Sequence, residues 1–440
     1  MLNLKLAKKK MENEQGMNHL LIKVKPEKSE RKVEKPVAFV LVMDVSGSMS
    51  ELVGEQHSHQ NQFFSRISTR GIENKREGNT KLSYVKQASE YLVDMMKDGD
   101  MLGVVSFSDT ASLEYPLTKL NRDVRFQLKD RIRALTVRGM TNMSDGLEMA
   151  MRQIPSELKN THHIKFILLS DGHANYGITN ADRMGTLVQG YRQEDVSVST
   201  IGVGNDYNSY FMEIIATTSG GMFYHLKEMT QLNAIFTSEL ETLTSLTTKQ
   251  VSIKVELPDG VHMEENLNGF QEEQKGNVYI GNVFHEVPIL MEIYTEDEIP
   301  LGKRAIKVSM SYTDVEGVQK TVEKTISLTL VLEEEMDNVE TNQEVVALVK
   351  ELLEAKTKKE AIRSYEDGNI QGASSSVQRS MTKMSRMFDS YDIEDEDDTL
   401  SNLEDFGFSL QKRSLTKADA KMMYSKSYNQ TRNVKKEDEK

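Results

Sequence analysis

VAFVLVMDVSGS, residues 37–48, decides how the chain is read. The apolar run 37–43 is strand-length, rich in β-branched residues and free of polar positions, as expected of a strand buried on both faces. It ends abruptly in an aspartate, two serines and a glycine. Asp44, Ser46 and Ser48 stand at i, i+2 and i+4, so one carboxylate and two hydroxyls sit on the loop at the strand's carboxyl end. Hard oxygen donors of this kind suit Mg²⁺, Mn²⁺ or Ca²⁺ rather than zinc. Taken alone, D-x-S-x-S describes a plain strand-to-helix turn equally well.

Two later stretches add to it. GMTN, residues 139–142, puts Thr141 on a glycine-marked turn before a helix-like segment, 143–152. IKFILLSDG, residues 164–172, repeats the pattern of a buried strand ending in a carboxylate, Asp171. In an open parallel sheet the loops at the carboxyl ends of the strands share one edge, where the three segments can meet.

DVSGS, the threonine of GMTN and LLSDG, in this order over residues 36–245, resemble the von Willebrand factor A domain with its metal-ion-dependent adhesion site. Carried over by position, the resemblance implies that Asp44, Ser46 and Ser48 are first-loop metal ligands, Thr141 the second-loop ligand and Asp171 the third-loop carboxylate, acting through water. It implies Mg²⁺, with Mn²⁺ or Ca²⁺ as alternatives, and a protein partner that supplies an Asp or Glu to the ion. The chain is similar in type to bacterial cytosolic A-domain proteins related to the calcium-activated chloride-channel and inter-α-trypsin-inhibitor heavy-chain groups.

Around this centre the chain reads as several domains. With 440 residues and 38% apolar content, it can bury more than one core. Its longest apolar runs are strand-length, far short of a membrane span. The first residues lack a basic region followed by an apolar run and a small-residue cleavage site, so a cytoplasmic protein is expected. With no cysteine there is neither disulfide nor thiolate chemistry, and a net charge of −13 argues against general nucleic-acid binding. The 25 methionines are read as core filler.

The expected fold is α/β, a doubly wound and mostly parallel Rossmann-like sheet, followed by an antiparallel β-sandwich and a C-terminal helical region. Residues 1–35 form an N-terminal segment, loose over 1–16 and with one strand near 19–25 that is free to join the sandwich. Residues 36–248 form the A domain. Within it, 51–80 is an insertion with two readings: a recognition lid anchored by Phe63 and Phe64, with His57 and His59 nearby, or a disordered loop. Residues 249–335 are the sandwich and 340–390 a helical bundle. Residues 391–440 read as a flexible acidic linker and basic tail, lacking the glycine and terminal glutamate of an EF-hand.

The leading functional expectation is a non-catalytic, metal-dependent interaction module. An accessory subunit of an AAA+ ATPase or a kinase–phosphatase complex is the alternative, and with no Walker-A loop any ATP hydrolysis would come from a partner. A metal-dependent phosphohydrolase is disfavoured, because that chemistry commonly wants a second first-loop aspartate where Ser46 and Ser48 stand. Serine nucleophile chemistry is disfavoured too: V-S-G-S is not G-x-S-x-G, and His162 and His163 are placed on the far side of the sheet as surface residues. The oligomeric state is left open.

Overall fold

A computed structural model of the chain describes residues 1–27, 35–52, 80–226, 228, 231–244, 246–314, 316–337, 339–395 and 398–432. The chain divides into two units, one of residues Met1–Val33 with Ser245–Lys440, the other of Glu34–Thr244. The second unit is thus inserted, in chain order, into the first. Phe63, Phe64, His57 and His59 lie outside the described residues.

The first unit opens with β1 (Leu2–Leu6), β2 (Lys10–Glu12) and β3 (Met17–Val24). The expectation of a loose amino terminus with a single strand is therefore corrected. Leu2 and Leu6 are buried while Asn3 is exposed, a period-two pattern that the neighbouring lysines mask in composition.

The inserted unit is built on β4 (Val37–Asp44), buried at every position. Next come α1 (Lys81–Met95), β5 (Met101–Phe107), β6 (Ala111–Lys119), α2 (Arg122–Ala134), α3 (Met143–Met151), the short α4 (Leu158–Thr161) and β7 (His163–Ser170). It closes with α5 (Ala181–Gln193), β8 (Val196–Val203), α6 (Ser209–Ser219), β9 (Phe223–Leu226) and α7 (Gln231–Thr244). The sheet order is β6-β5-β4-β7-β8-β9. Every pair is parallel except β5 with β6. Burial on both faces follows: Val37, Phe39, Leu41 and Met43 pack in one core with residues of α1, α2 and α7. Each such apolar side chain taken out of water contributes about 1.5–3 kcal/mol. His163 opens β7 and is buried, contrary to its reading as a surface residue, because it continues a strand flanked on both sides.

The rest of the first unit contains β10 (Thr248–Glu256), β11 (Val261–Asn266), β12 (Gln271–Gln274), β13 (Asn277–Val283), β14 (Val287–Thr295), β15 (Gly302–Thr313) and β16 (Gln319–Val331). They form two sheets, β1-β3-β14-β11 and β12-β13-β10-β15-β16-β2, that share one apolar core. All pairings are antiparallel but β16 with β2.

Four helices complete this unit: α8 (Gln343–Glu366), α9 (Ile370–Tyr391), α10 (Thr399–Gln411) and α11 (Lys417–Arg432). The expected flexible linker and tail over 391–440 is corrected by the last two. Leu403, Phe406 and Leu410 on α10, and Ala420, Tyr424 and Tyr428 on α11, are buried at helical spacing. The acidic run is local: Asp395 accepts Leu400 N at 2.8 Å and pairs with Lys350 at 3.1 Å. Residues 433–440 lie outside the described set. Where α9 meets β3, His19 Nδ1 shares a 2.6 Å hydrogen bond with the Tyr391 hydroxyl, and burial holds the imidazole down at about 3, hence neutral.

Candidate metal centre

The carboxyl ends of β4 and β7 adjoin because the two strands pair in parallel from Val37↔His163 to Met43↔Leu169. That register sets Asp44 beside the Ser170–Asp171 turn. Asp44 is fully buried. Its Oδ1 accepts the backbone N–H of Ser46 at 2.8 Å, and its Oδ2 accepts the hydroxyl of Ser170 at 2.5 Å. Burial pushes the Asp44 carboxyl up to about 6, against the pull of these hydrogen bonds.

After Asp44 the chain turns through a short 3₁₀ segment, Gly47–Ser50, that brings Ser46 Oγ and Ser48 Oγ to 3.2 Å. Ser48 Oγ in turn donates to Asp171 Oδ1 at 2.7 Å. The second loop is stitched to the first by backbone bonds, Arg138 N to Val45 O at 2.6 Å and Gly47 N to Gly139 O at 3.3 Å. Gly139 takes φ +63, and a Cβ there would fall 2.3 Å from Asp109 Oδ2, so glycine is required. The same Asp109 carboxylate accepts Met140 N at 2.8 Å.

Thr141 is clamped from the third loop: its N–H donates to Asn175 Oδ1 at 2.9 Å, and its carbonyl accepts Asn175 N at 3.1 Å and Tyr176 N at 3.3 Å. Gly172 marks the meeting point, since a Cβ there would lie 3.6 Å from Thr141 Oγ1 and 3.8 Å from Ser48 Oγ. Asp44, Ser46, Ser48, Thr141 and Asp171 are thus brought to one edge of the sheet. The set offers two carboxylates and three hydroxyls. Among the described residues no group of three or more His, Cys, Asp or Glu side chains is placed to hold a metal. Oxygen donors in which hydroxyls outnumber carboxylates fit a hard divalent cation that retains charge for an outside oxygen.

Four contributors were not singled out from sequence. Ser170 orients Asp44; its signal is the serine just before Asp171 in LLSDG. Asp109 and Asn175 hold the second loop and carry no sequence signal beyond lying in loops. The fourth, Lys81, reaches Asp171 Oδ2 at 2.8 Å and Glu51 Oε2 at 2.5 Å. Burial pulls its ammonium down, but Asp171 and Glu51 more than offset this, and it stays charged. Around the site, Met140 and Tyr176 are 49% and 56% exposed, an apolar rim on the two loops that hold Thr141.

The family model for the von Willebrand factor type A domain matches residues 39–238. The uncharacterized protein YfbK of Escherichia coli (strain K12) is 24% identical over 195 residues, which is 44% of this chain and 34% of that protein. The inter-alpha-trypsin inhibitor heavy chain H3 of Pongo abelii is 22% identical over 256 residues, 56% of this chain and 25% of that one. The chain therefore spans only a third and a quarter of these relatives' lengths. A solved structure, a von Willebrand factor type A protein from Catenulispora acidiphila, superposes with a TM-score of 0.67 at 15% identity, covering 99% of this chain and 97% of that one. Sequence and fold agree, and the chain carries a von Willebrand factor type A domain.

Proposed function

We propose that this protein is a metal-dependent protein-interaction module, in which Asp44, Ser46, Ser48, Thr141 and Asp171 hold Mg²⁺ and a partner's Asp or Glu completes its coordination. The carrying observation is the meeting of three loops: Ser48 Oγ bonds both Ser46 Oγ and Asp171 Oδ1, Asp44 accepts Ser46 N, and Thr141 Oγ1 and Ser48 Oγ flank Gly172. When bound, the ion supplies a positive centre that attracts an outside carboxylate. The chain's residues do the rest: Ser170 orients Asp44, and Asn175 and Asp109 fix the loop bearing Thr141. The reading is non-catalytic, since the positions two and four after Asp44, where phosphohydrolase chemistry commonly wants a second aspartate, carry hydroxyls. It keeps the cytoplasmic setting expected above and the bacterial type that the family resemblance implies.

The test is capture from native lysate on the full chain, with Mg²⁺, with EDTA, and with a Thr141→Val bait in Mg²⁺. A partner held only by the wild-type chain in Mg²⁺ is the expected result. The same partner held equally in all three conditions moves recognition away from this edge of the sheet.

The exposed rim makes a separate prediction. A carboxylate arriving at the ion brings its neighbouring residues against Met140 and Tyr176, and apolar contacts at the centre of an interface carry much of the affinity. Met140→Ser and Tyr176→Ser are expected to weaken partner binding by about 1–2 kcal/mol each while leaving the affinity for Mn²⁺ unchanged. Titration of both ligands on each variant separates the two effects, and a parallel loss of Mn²⁺ affinity would place these residues in the metal site instead.

A further inference from the structure

Lys81 sits in the first turn of α1, directly after the cap Thr80, whose side chain accepts Ser83 N at 3.2 Å. A lysine there is opposed by the helix dipole, and a buried ammonium is costly unless paired. Yet the Lys81 side chain is only 9% exposed and Asp171 is fully buried. Space has been made for it: Gly204, at φ +77, would with a Cβ crowd Lys81 Cε at 3.2 Å and Nζ at 3.4 Å. The side chain is not needed to bring its stretch of backbone to Glu51. Lys81 N already donates to Glu51 O at 3.0 Å, and Leu52 bridges Thr80. What the ammonium adds is a charge on Asp171 Oδ2, while Ser48 Oγ occupies Oδ1.

We propose that Lys81 sets the affinity of the metal site: a resident cation that neutralises Asp171 when no ion is bound and repels the ion when one is. This rests on the metal-binding reading above. The shared carboxylate carries it: Lys81 Nζ lies 2.8 Å from Asp171 Oδ2, so an ion drawn to the same carboxylate would meet a like charge in a buried setting where charges are weakly screened. Lys81 accordingly lets the empty site stay folded without an ion and keeps the filled site weak.

The experiment is calorimetric titration of Mn²⁺ alone into the EDTA-stripped full chain, wild type against Lys81→Met, with circular dichroism and thermal melting in EDTA on each. Lys81→Met is expected to bind Mn²⁺ at least about tenfold more tightly and to melt lower than wild type in EDTA. Lys81→Gln keeps an N–H donor for Asp171 and removes the charge, so it carries the same affinity expectation should Lys81→Met fail to fold. Equal or weaker Mn²⁺ binding by a folded neutral variant overturns the role of Lys81 and leaves the metal site standing. Absence of Mn²⁺ binding in wild type and both variants overturns the metal reading together with this one.

Discussion

Asp44→Asn is expected to abolish divalent-ion binding and, in EDTA at pH 7.5, to make the protein more stable than the wild type. Both effects come from one carboxylate. Asparagine keeps an acceptor for Ser46 N and offers Ser170 Oγ a donor in place of the second oxygen, so both contacts of Asp44 survive. What it loses is the charge that would bind an ion, and affinity should fall by roughly two orders of magnitude or more, beyond the loss typical of an outer-shell change. What it gains is relief from burying that charge. The wild-type carboxyl is raised from 3.8 to about 6 by burial, so the metal-free fold disfavours the ionised form. The corresponding stability is present in full below the unfolded value and lost as pH rises through about 6. At pH 7.5 the relief is about 2–3 kcal/mol, or roughly 4–12 °C in melting temperature for a unit of this size.

The pH profile adds a second readout. The wild type in EDTA is expected to gain stability as pH falls from 7.5 toward 4.5, whereas Asp44→Asn lacks this contribution. Binding of Mn²⁺ to the wild type should weaken over the same window as Asp44 takes up a proton. Thermal melts at several pH values, with and without Mn²⁺, check all three. An Asp44→Asn variant that melts lower than wild type in EDTA would mean that Asp44 stabilises the fold by its charge and is not held there for an ion.

The sequence made this edge of the sheet legible because two apolar runs, 37–43 and 166–169, each stop at or one residue before an aspartate. Strands buried on both faces have few alternatives, and their carboxyl ends must lie together. Lys81 was not legible, since a lysine at the start of an amphipathic helix looks like a solvated residue until the third loop is seen to approach it. The strands at 2–6 and 10–12 and the helices at 399–411 and 417–432 were missed for a related reason. Their apolar residues recur at strand or helix spacing inside stretches whose average composition is charged. In IKFILLSDG the lysine at 165 was a charged residue in the middle of a strand buried at every position. That demanded a buried partner, and the partner lies on a helix that periodicity could only describe as apolar.

That partner is Glu239, and breaking the pair is expected to be among the most destabilising single changes in this unit. Lys165 is 2% exposed and Glu239 1%, in a direct ion pair. Lys165 lies on the face of β7 that also carries Ile167 and Leu169, and Glu239 interrupts the apolar stripe of α7 formed by Leu232, Phe236, Leu240 and Leu243. Removing either partner strands the other's charge in a core, at about 3–5 kcal/mol, a large part of the 5–15 kcal/mol that holds a typical domain together. Lys165→Met and Glu239→Leu alone should each melt roughly 6–20 °C below wild type. The double variant should return to within about 1 kcal/mol of wild type or exceed it, because two well-packed apolar side chains need no desolvation. Urea unfolding followed by far-ultraviolet circular dichroism closes the double-mutant cycle. Additive single losses would show that the two charges are solvated separately and do not meet in the core. Recovery in the double variant would show that the pair adds little net stability. Its effect would then be on register: a stripe of leucines and phenylalanine can slide along an apolar face, but a glutamate has one seat opposite Lys165.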